Sequence, residues 1–281
     1  MSEHRLTAEQ ISAYGRYLLI EERSRATIEK YLRDANTFVG WLDGKAVTKE
    51  LVVAWKSHLL AQDYAPVTVN AMLSGLNGLF KFLGWSDCRI KFVKIQRKLF
   101  QDAGRDLNRT EYERLLAAAK AQGRERLVLL METICATGIR VSEIQYITVE
   151  AARYGQAQIS LKGKVRVILL PRKLCRKLSK YAKKKKIVSG KIFLTRNGHD
   201  INRKQIWAGM KALCATADVQ RSKVFPHNLR HLFANLFYQA YKNIVRLADI
   251  LGHSSVETTR IYLLTPSSEH IRQLERLNLI T

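Results

Sequence analysis

Residues 251–262 read LGHSSVETTRIY, and this stretch decides how the C-terminal part of the chain is interpreted. Gly252 follows an apolar helical pattern and indicates a helix end, because glycine is common just after a helix. One of the two serines after His253 can cap the next helix. His253 is therefore expected in a tight turn, with Tyr262 about two helical turns further on. Taken alone, Tyr262 is one of 11 tyrosines, for which packing is the ordinary explanation.

The segment ATGIRVSE, residues 136–143, supplies a candidate anion-binding arginine. Gly138 is expected to end one helix and Arg140 to begin the next, where a helix N-terminus adds positive potential. Glu143, three residues on, can orient a neighbour or close a turn. By itself, this pattern would indicate a surface arginine that caps a turn.

The segment PHNLRH, residues 226–231, pairs a histidine with an arginine. His227 and Arg230 are three residues apart and share a helix face. A guanidinium binds two phosphate oxygens at once and keeps its charge, while histidine can transfer a proton. His231 falls on a different face, and a structural hydrogen bond is predicted for it. Together with a nucleophile, these residue types suit phosphodiester transfer.

Charge points to a polyanionic partner. The chain carries 48 Lys and Arg against 24 Asp and Glu, a formal net charge of +24. Residues 1–94 hold 13 basic and 10 acidic residues, and residues 95–281 hold 35 and 14. Such a field attracts nucleic acids or anionic membrane surfaces. The sequence contains no run of about 20 apolar residues, so it predicts no membrane-spanning helix. The cysteines lack metal-ligand spacing and no signal-peptide core is seen, so we expect a cytoplasmic, nucleoid-associated protein.

The N-terminal part predicts a small bundle of amphipathic helices. Ser24 is a suitable N-cap for the second helix, and Pro66 a suitable first residue for the fourth. The predicted helices cover residues 6–20, 25–42, 49–62 and 66–84.

The C-terminal part predicts helices with a small sheet. Thr110 and Glu113 form the pattern of a capping box at the start of its first helix. Two short strands, 158–161 and 165–170, flank a turn and predict a hairpin. Residues 192–194 are expected to add a further short strand. The predicted fold class is mainly α with a small β-sheet in the C-terminal domain.

Together these segments resemble the tyrosine recombinase (phage integrase) family, especially its Xer-like, two-domain bacterial members. The resemblance spans essentially all of residues 106–265, and the N-terminal part matches more loosely through SRATIEKY and PVTVNAMLSGL. The matching motifs are ATGIRVSE at 136–143, LKGK at 161–164 with LLP at 169–171, HNLRH at 227–231 and LGHSSVETTRIY at 251–262.

The resemblance implies a domain layout. Residues 1–94 would be a helical, SAM-like core-binding domain that holds DNA, and residues 95–106 a linker. Residues 107–281 would be the catalytic domain, ending in an exchange tail with a helix over 269–277 that docks on a neighbouring protomer or on its own domain. Together the domains would form a C-shaped clamp around DNA.

The resemblance also implies roles for individual residues. Arg140 and Arg230 would bind the scissile phosphate. Tyr262 would attack it, giving a 3′-phosphotyrosine and a free 5′-hydroxyl. His227 would act as a donor or acid/base, and His253 would donate to a phosphate oxygen.

A lysine of the hairpin would protonate the leaving oxygen. The turn is one residue shorter than the usual K-G-N-K form, so two assignments are open. Lys162 matches the catalytic position counted from the first strand and is favoured over Lys164, which matches the basic residue after the turn. Glu143 fills the family's acidic position and would support the site.

Further DNA contacts are predicted by analogy with the family, although ordinary solvated helix faces explain each residue equally well. Phosphate contacts of this kind would fix register without reading sequence. The predicted contacts are Thr27, Lys30, Thr68, Asn70, Ser74, Lys164, Arg203 and Lys204.

The predicted partner is double-stranded DNA with specific recombination sites, bound by a homotetramer, with no membrane association. No ATP-binding loop or two-metal carboxylate cluster is present in the sequence, so neither cofactor nor metal is expected. Integration or excision of a mobile element is the favoured role. Chromosome-dimer resolution of the Xer type and DNA inversion are alternatives. A type IB topoisomerase and a non-catalytic DNA-binding protein are the rivals from other classes.

Overall fold

The computed structural model describes residues 4–95, 104–161, 164–195, 197–263, 271–272 and 275–276. The chain divides into two units, Met1–Arg97 and Lys98–Thr281. The predicted fold class, mainly α with one small antiparallel sheet, is confirmed. None of the helices in the described part of the chain has the length and apolar character needed to span a bilayer. Most of the predicted linker and of the predicted tail helix lies outside the described residues.

Polar caps set where the helices of the N-terminal unit begin. Thr7 accepts a hydrogen bond from the Gln10 amide, so the first helix starts at Ala8, slightly later than predicted. Ser24 caps the second helix as predicted, accepting from the Thr27 amide. The helices are α1 (Ala8–Ile20), α2 (Arg25–Leu42), α3 (Lys49–Ala61) and α4 (Pro66–Phe82).

Aromatic side chains join these four helices. Phe38 of α2 lies 5.7 Å from Trp55 of α3 and 6.2 Å from Phe80 of α4 between ring centroids, and all three are buried. The hydroxyl of Tyr14 in α1 donates to the Gly75 carbonyl of α4 at 3.3 Å. Each aromatic pair adds about 0.5–1.5 kcal/mol beyond the burial of its area. The four helices therefore share one core.

The C-terminal unit contains further helices and one hairpin. Its α-helices include α5 (Arg109–Ala121), α6 (Glu125–Thr137), α7 (Val149–Tyr154), α8 (Arg172–Lys184), α9 (Arg203–Lys211), α10 (Cys214–Ala217), α11 (Pro226–Tyr241), α12 (Ile244–Leu251) and α13 (Val256–Arg260). The 3₁₀ helix Val141–Tyr146 follows α6, and another, Ile261–Leu263, follows α13. A single buried cluster runs through α5, α6, α8 and α11 and holds these helices in place.

The start of α5 differs from the prediction. The capping box is not Thr110 with Glu113 but Asn108 with Glu111. Asn108 Oδ1 accepts from the Glu111 amide at 2.8 Å, and Glu111 Oε2 accepts from the Asn108 amide at 2.9 Å. Glu111 also pairs with Lys223 at 2.8 Å. This tertiary ion pair favours the earlier box.

The hairpin forms as predicted, while the third strand does not. Strands β1 (Gln156–Leu161) and β2 (Lys164–Leu169) pair antiparallel. The prediction of a strand over 192–194 is wrong, since the described residues there make only isolated bridges. The Leu194 amide bonds back to the Ile192 carbonyl at 3.2 Å, and this local turn prevents an extended ladder.

Candidate active site

Tyr262 lies in the 3₁₀ helix Ile261–Leu263, and 6% of its surface is exposed. Its ring stacks on His253 with 5.6 Å between centroids and meets the edge of His231 at 4.3 Å. Its hydroxyl accepts a hydrogen bond from Arg230 Nε at 3.4 Å. The side chain thus packs in the core, and its oxygen faces a buried cation.

Arg230 is the most buried charged side chain of this cluster, at 1% exposure. Its Nη1 donates to the Gly138 carbonyl at 2.5 Å, and its Nη2 to the Leu251 carbonyl at 2.9 Å. Nη2 also lies 2.8 Å from His253 Nε2. The two carbonyls stand at the C-terminal ends of α6 and α12, where the helix dipoles are negative. Backbone groups therefore both fix and compensate the guanidinium.

Gly138 is required by this arrangement. It ends α6 in the left-handed region with φ +66°. A Cβ at this position would lie 2.4 Å from a ring carbon of Phe233 and 2.8 Å from Leu251. Only glycine combines this backbone conformation with so little space. The direction of its carbonyl toward Arg230 depends on that turn.

His253 occupies the tight turn that the sequence predicts. Gly252 ends α12 with φ +63°. Because a guanidinium only donates, His253 Nε2 must accept from Arg230, which places the ring proton on Nδ1. Nδ1 then donates to the Thr259 hydroxyl at 2.8 Å, and Thr259 is fully buried. The tautomer and the ring orientation are thus set by two partners.

Arg140 and Glu143 form one ion-pair network with Arg166 of β2. Glu143 Oε2 accepts from the Arg140 amide at 2.7 Å, and Oε1 from its guanidinium at 3.1 Å. Arg166 Nη2 donates to the same Oε2 at 2.5 Å, and Nη1 donates to the Ile250 carbonyl at 3.3 Å. Glu143 is 2% exposed. One buried carboxylate therefore orients Arg140 and ties β2 to the end of α12, just before His253.

His227 and His231 stand beside the ring of Tyr262. The His227 ring lies 5.7 Å from the Tyr262 ring and 5.2 Å from that of His231, and His227 keeps an exposed edge. The structural hydrogen bond predicted for His231 is not found at Nδ1 in the described part of the chain. Its buried Nδ1 lies 3.6 Å from Asp106 Oδ1, beyond hydrogen-bond distance, and finds no other partner among the described residues.

The electrostatics of this cluster keep His227 and His253 neutral. Burial lowers the pKa of His227 to about 4, and His231 and Arg230 nearby add to the effect. Burial and the charges of Arg230 and Arg140 lower the pKa of His253 to about 4 as well. Burial also lowers the pKa of Arg230. At neutral pH both imidazoles are therefore uncharged, and each has one nitrogen that can accept a hydrogen bond.

These shifts predict how stability depends on pH. An unfolded histidine titrates near 6.5. As the pH falls below 6.5, histidines of the unfolded chain bind protons, whereas folded His227 and His253 bind them only near pH 4. The unfolded state is therefore favoured increasingly, and the free energy of unfolding should decrease as the pH falls from about 6.5 to about 4. His253→Gln, which can still accept from Arg230, should flatten this decline in thermal unfolding. The exposed His199→Gln serves as the control. Equal declines in wild type and His253→Gln would contradict the expectation.

A cleft of about 690 Å³ opens beside these groups. Its lining includes Arg140, Arg230 and His227. Arg203 and the half-exposed Trp207 of α9 line the same cleft. The structure thus brings two of the predicted cations and one histidine to the lining of one cleft, where Arg140 and His227 are more accessible than the buried Arg230.

The structure describes some of the predicted lysines and not others. Lys162 lies outside the described residues. Lys164 is the first residue of β2, opposite Leu161. The exposed Lys204 follows Arg203 at the start of α9.

The predicted DNA contacts of the N-terminal unit differ in their surroundings. Lys30 bonds to buried Asp34 and to the Ala71 carbonyl. The Asn70 amide both donates to and accepts from the Val93 backbone, at 2.9 and 2.7 Å. These side chains are engaged within the unit.

The other three predicted contacts in this unit retain more freedom. The Thr27 hydroxyl lies 2.8 Å from that of Ser24, and the Ser74 hydroxyl lies 3.4 Å from that of Tyr31. Thr68 is exposed at the start of α4.

One group of residues in the described chain has the side chains of a metal site, and it lies far along the sequence from Tyr262. His4, Asp87 and Cys88 have ligand atoms within 4.8 Å of one another. His4 already pairs with Asp87 at 3.2 Å and stacks on Trp85 at 4.4 Å. Burial raises the pKa of Cys88 to about 11, which disfavours the thiolate that a metal needs. These contacts are explained without an ion.

Three residues of this cluster were missed by sequence reasoning. Arg166 alternates with Val165 and Val167, whose side chains are exposed, so period 2 places a cation on the inner face of β2. Apolar residues on the exposed face and a cation on the inner face reverse the usual strand pattern, and this reversal could have indicated that Arg166 belongs to the site. His231 and Thr259 carry no such signal, because their roles depend on where Tyr262 packs.

Comparison with known proteins agrees with this geometry. Residues 105–267 match the phage integrase family, and residues 11–87 match its N-terminal SAM-like domain. The chain is 27% identical over 291 residues to tyrosine recombinase XerA of Pyrococcus furiosus, covering 100% of this chain and 98% of that protein. It is 30% identical over 278 residues to tyrosine recombinase XerD of Brucella suis, covering 87% and 89%.

The fold is shared with a solved lambda integrase dimer bound to a COC′ core site. The TM-score is 0.72 at 15% identity, covering 92% of this chain and 77% of that one. The phage integrase match alone extends over more than half of the chain. The resemblance read from the sequence is therefore confirmed, and the chain belongs to the phage integrase family, the tyrosine recombinases.

Proposed function

We propose that this enzyme cuts and rejoins DNA at specific sites through a covalent 3′-phosphotyrosine on Tyr262. The observation that carries the proposal is the contact of the Tyr262 hydroxyl with Arg230, at 3.4 Å. A nucleophile beside a fixed cation can meet a phosphate that the same cation binds. Arg140, held by Glu143 at the edge of the open cleft, supplies a second positive group.

The reaction balances without an external energy source. The Tyr262 oxygen bonds to phosphorus while the bond to the 5′ oxygen breaks, and His227, whose ring lies 5.7 Å from that of Tyr262, would take the phenolic proton. The 5′ oxygen leaves as a hydroxyl with a proton from a hairpin lysine, Lys162 or Lys164. Arg140 and Arg230 neutralise charge on the non-bridging oxygens. Attack by a 5′-hydroxyl then reverses these steps, because the phosphotyrosine keeps the diester's bond energy.

His253 would donate to a phosphate oxygen in this scheme. In the structure its proton lies on Nδ1 and points at Thr259, while Nε2 accepts from Arg230. Donation from Nε2 therefore requires a second proton on the ring or an exchange of tautomer. Phosphate supplies the negative charge that favours a protonated ring. This step would accompany substrate binding.

The remaining chain would hold the DNA and assemble the complex. Residues 1–94 would serve as the core-binding domain, 95–106 as the linker, and 107–281 as the catalytic domain with its exchange tail. Four protomers would act on two double-stranded sites. The lambda integrase relative was solved as a dimer on DNA, which supports the DNA partner and assembly of this kind.

The favoured biological role is integration or excision of a mobile element. The Xer-like motifs are complete in the catalytic part of the sequence and looser in the N-terminal part, which favours a target other than a chromosome-dimer site. The XerA and XerD names of the relatives support the alternative of dimer resolution. Inverted repeats in the DNA beside the gene would identify the target of either role.

Nicked suicide duplexes tiled from the DNA beside the gene test the proposed chemistry. In buffer with EDTA and without ATP, the enzyme should form a covalent adduct at the 3′ end and release a 5′-hydroxyl. Adduct on denaturing gels and labelling of the released end by polynucleotide kinase measure the two products. A linkage at the 5′ end, or an absolute need for Mg²⁺, would overturn the mechanism. Relaxation of plasmids that lack a site, without recombinant product, would favour a type IB topoisomerase.

A further inference from the structure

Helix α8 presents a basic face that the proposed chemistry does not use. From Arg172 to His199 the sequence contains no acidic residue. The apolar side of the helix is buried, with Leu174, Leu178 and Tyr181 in the core. The opposite side carries exposed Lys and Arg side chains. We define the α8 basic face as Lys173, Arg176, Lys180 and Lys183.

The α8 basic face makes no ion pair with the described residues, and Glu125 and Glu132, which line a groove with Lys180, pair with other lysines. Two other lysines of the helix reach across to α6, Lys177 to Glu132 at 2.5 Å and Lys184 to Glu125 at 2.7 Å. Within the described part of the chain, no ion pair reaches the four side chains of the face itself, and all four are exposed. They are 10 residues apart at most, a row of about 15 Å along the helix.

This face lies on a different side of the unit from Tyr262. A groove beside α8 is lined by Lys173 and Leu174 together with Leu232 and Leu236 of α11. On α11 those two leucines are about 200° and 240° around the helix from Arg230, which faces Tyr262. None of the residues lining the cleft at the site belongs to α8. DNA held at Tyr262 therefore leaves the α8 face available.

We propose that the α8 basic face binds a second segment of duplex DNA through its phosphates, without reading sequence. This inference rests on the proposed function only in taking DNA as the substrate. The four cations form a row of about 15 Å, and duplex DNA carries one negative charge per about 1.7 Å of axis, so several phosphates fall within the length of the row. An anionic membrane is disfavoured because a membrane-surface helix must bury its apolar face in lipid, and here that face is already buried in the protein.

Four neutralising substitutions test the proposal. The variant K173Q/R176Q/K180Q/K183Q is compared with K173R/R176K/K180R/K183R, which keeps every charge on the same helix. Both are titrated with a fluorescent random-sequence duplex of about 20 base pairs at low salt. Wild type and the charge-preserving variant should show two binding phases, and the glutamine variant only the tighter one. Four phosphate contacts would weaken the second phase roughly 100-fold between 50 and 200 mM salt.

Each contrary outcome is distinct. Two phases in the glutamine variant, or a single phase in wild type, would overturn the proposal. Loss of the tighter phase instead would place the face on the DNA held at the site. Stronger competition for the second phase by phosphatidylserine vesicles than by duplex would assign the face to membranes. The glutamine variant should still form the suicide-substrate adduct at the wild-type rate. Absence of adduct in wild type would count against the proposed function, whatever the binding phases show.

Discussion

Replacing Tyr262 with phenylalanine is expected to abolish covalent attachment to DNA and leave the fold intact. The change removes the oxygen that would bond to phosphorus, so the adduct yield should fall at least about 10⁴-fold. The folded state loses one long hydrogen bond, from Arg230 Nε at 3.4 Å. Arg230 keeps its bonds to Gly138, Leu251 and His253. Arg230 Nε loses this partner in a buried position, so stability should fall by about 1–3 kcal/mol while the fold is retained.

Adduct yield on suicide duplexes and the free energy of unfolding are measured side by side for Tyr262→Phe. Tyr238→Phe is the matched control, because Tyr238 packs against the same small cluster. That variant should retain the adduct. An undiminished adduct in Tyr262→Phe would refute the assignment of the nucleophile. Loss of adduct together with loss of folding would leave the expectation unmet, since an intact fold is part of it.

Removal of the Glu143 carboxylate is expected to cost about 3–5 kcal/mol of stability. Glu143 is 2% exposed, and its oxygens accept from Arg166 at 2.5 Å and from Arg140 at 3.1 Å. In Glu143→Ala the guanidinium of Arg166, largely buried, would lose its counter-charge. An uncompensated buried charge costs far more than the pair contributes. The midpoint of urea unfolding should fall accordingly.

A second substitution separates this explanation from simple loss of packing. Glu143→Leu combined with Arg166→Met replaces the pair by apolar side chains and should recover most of the lost stability. Glu125→Ala is the control, because its pair with Lys184 is exposed and should contribute no more than about 1 kcal/mol. A double variant as unstable as Glu143→Ala would show that burial of charge is not the cause.

Local sequence signals predicted much of this fold. Ser24 caps α2 because a hydroxyl beside an amphipathic run is a strong helix start, and α2 begins and ends where its apolar stripe predicts. The start of α5 was misjudged because two capping patterns overlap within six residues. The one that forms has a distant partner, Lys223, that no local pattern reveals. Residues 192–194 have strand composition, but among the described residues they form only an isolated bridge, between Leu194 and Asp200.

The residue types of the site could be predicted from the sequence, but the hydrogen bonds that join them could not. Glycine at 138 and at 252 marks the turns from which Arg140 and His253 follow, so these positions could be read from the sequence. The partners of Arg230 could not, because they are backbone carbonyls contributed by two helix ends. The assignment of His231 to a different face was wrong, because i, i+4 spacing places it beside His227, and their rings lie 5.2 Å apart. Its contact with Tyr262 depends in addition on the 3₁₀ helix that carries Tyr262.

The hydrogen bond between Arg230 and Tyr262 has a genetic consequence. Both residues belong to one polypeptide, and their contact is made within a single subunit. Under the proposed chemistry, each subunit would cut the strand bound at its own phosphate pocket. Two inactive alleles, one without the tyrosine and one without the arginine, would then fail to rescue each other in a mixed assembly. Cooperation between subunits would be confined to choosing which strands exchange, and when.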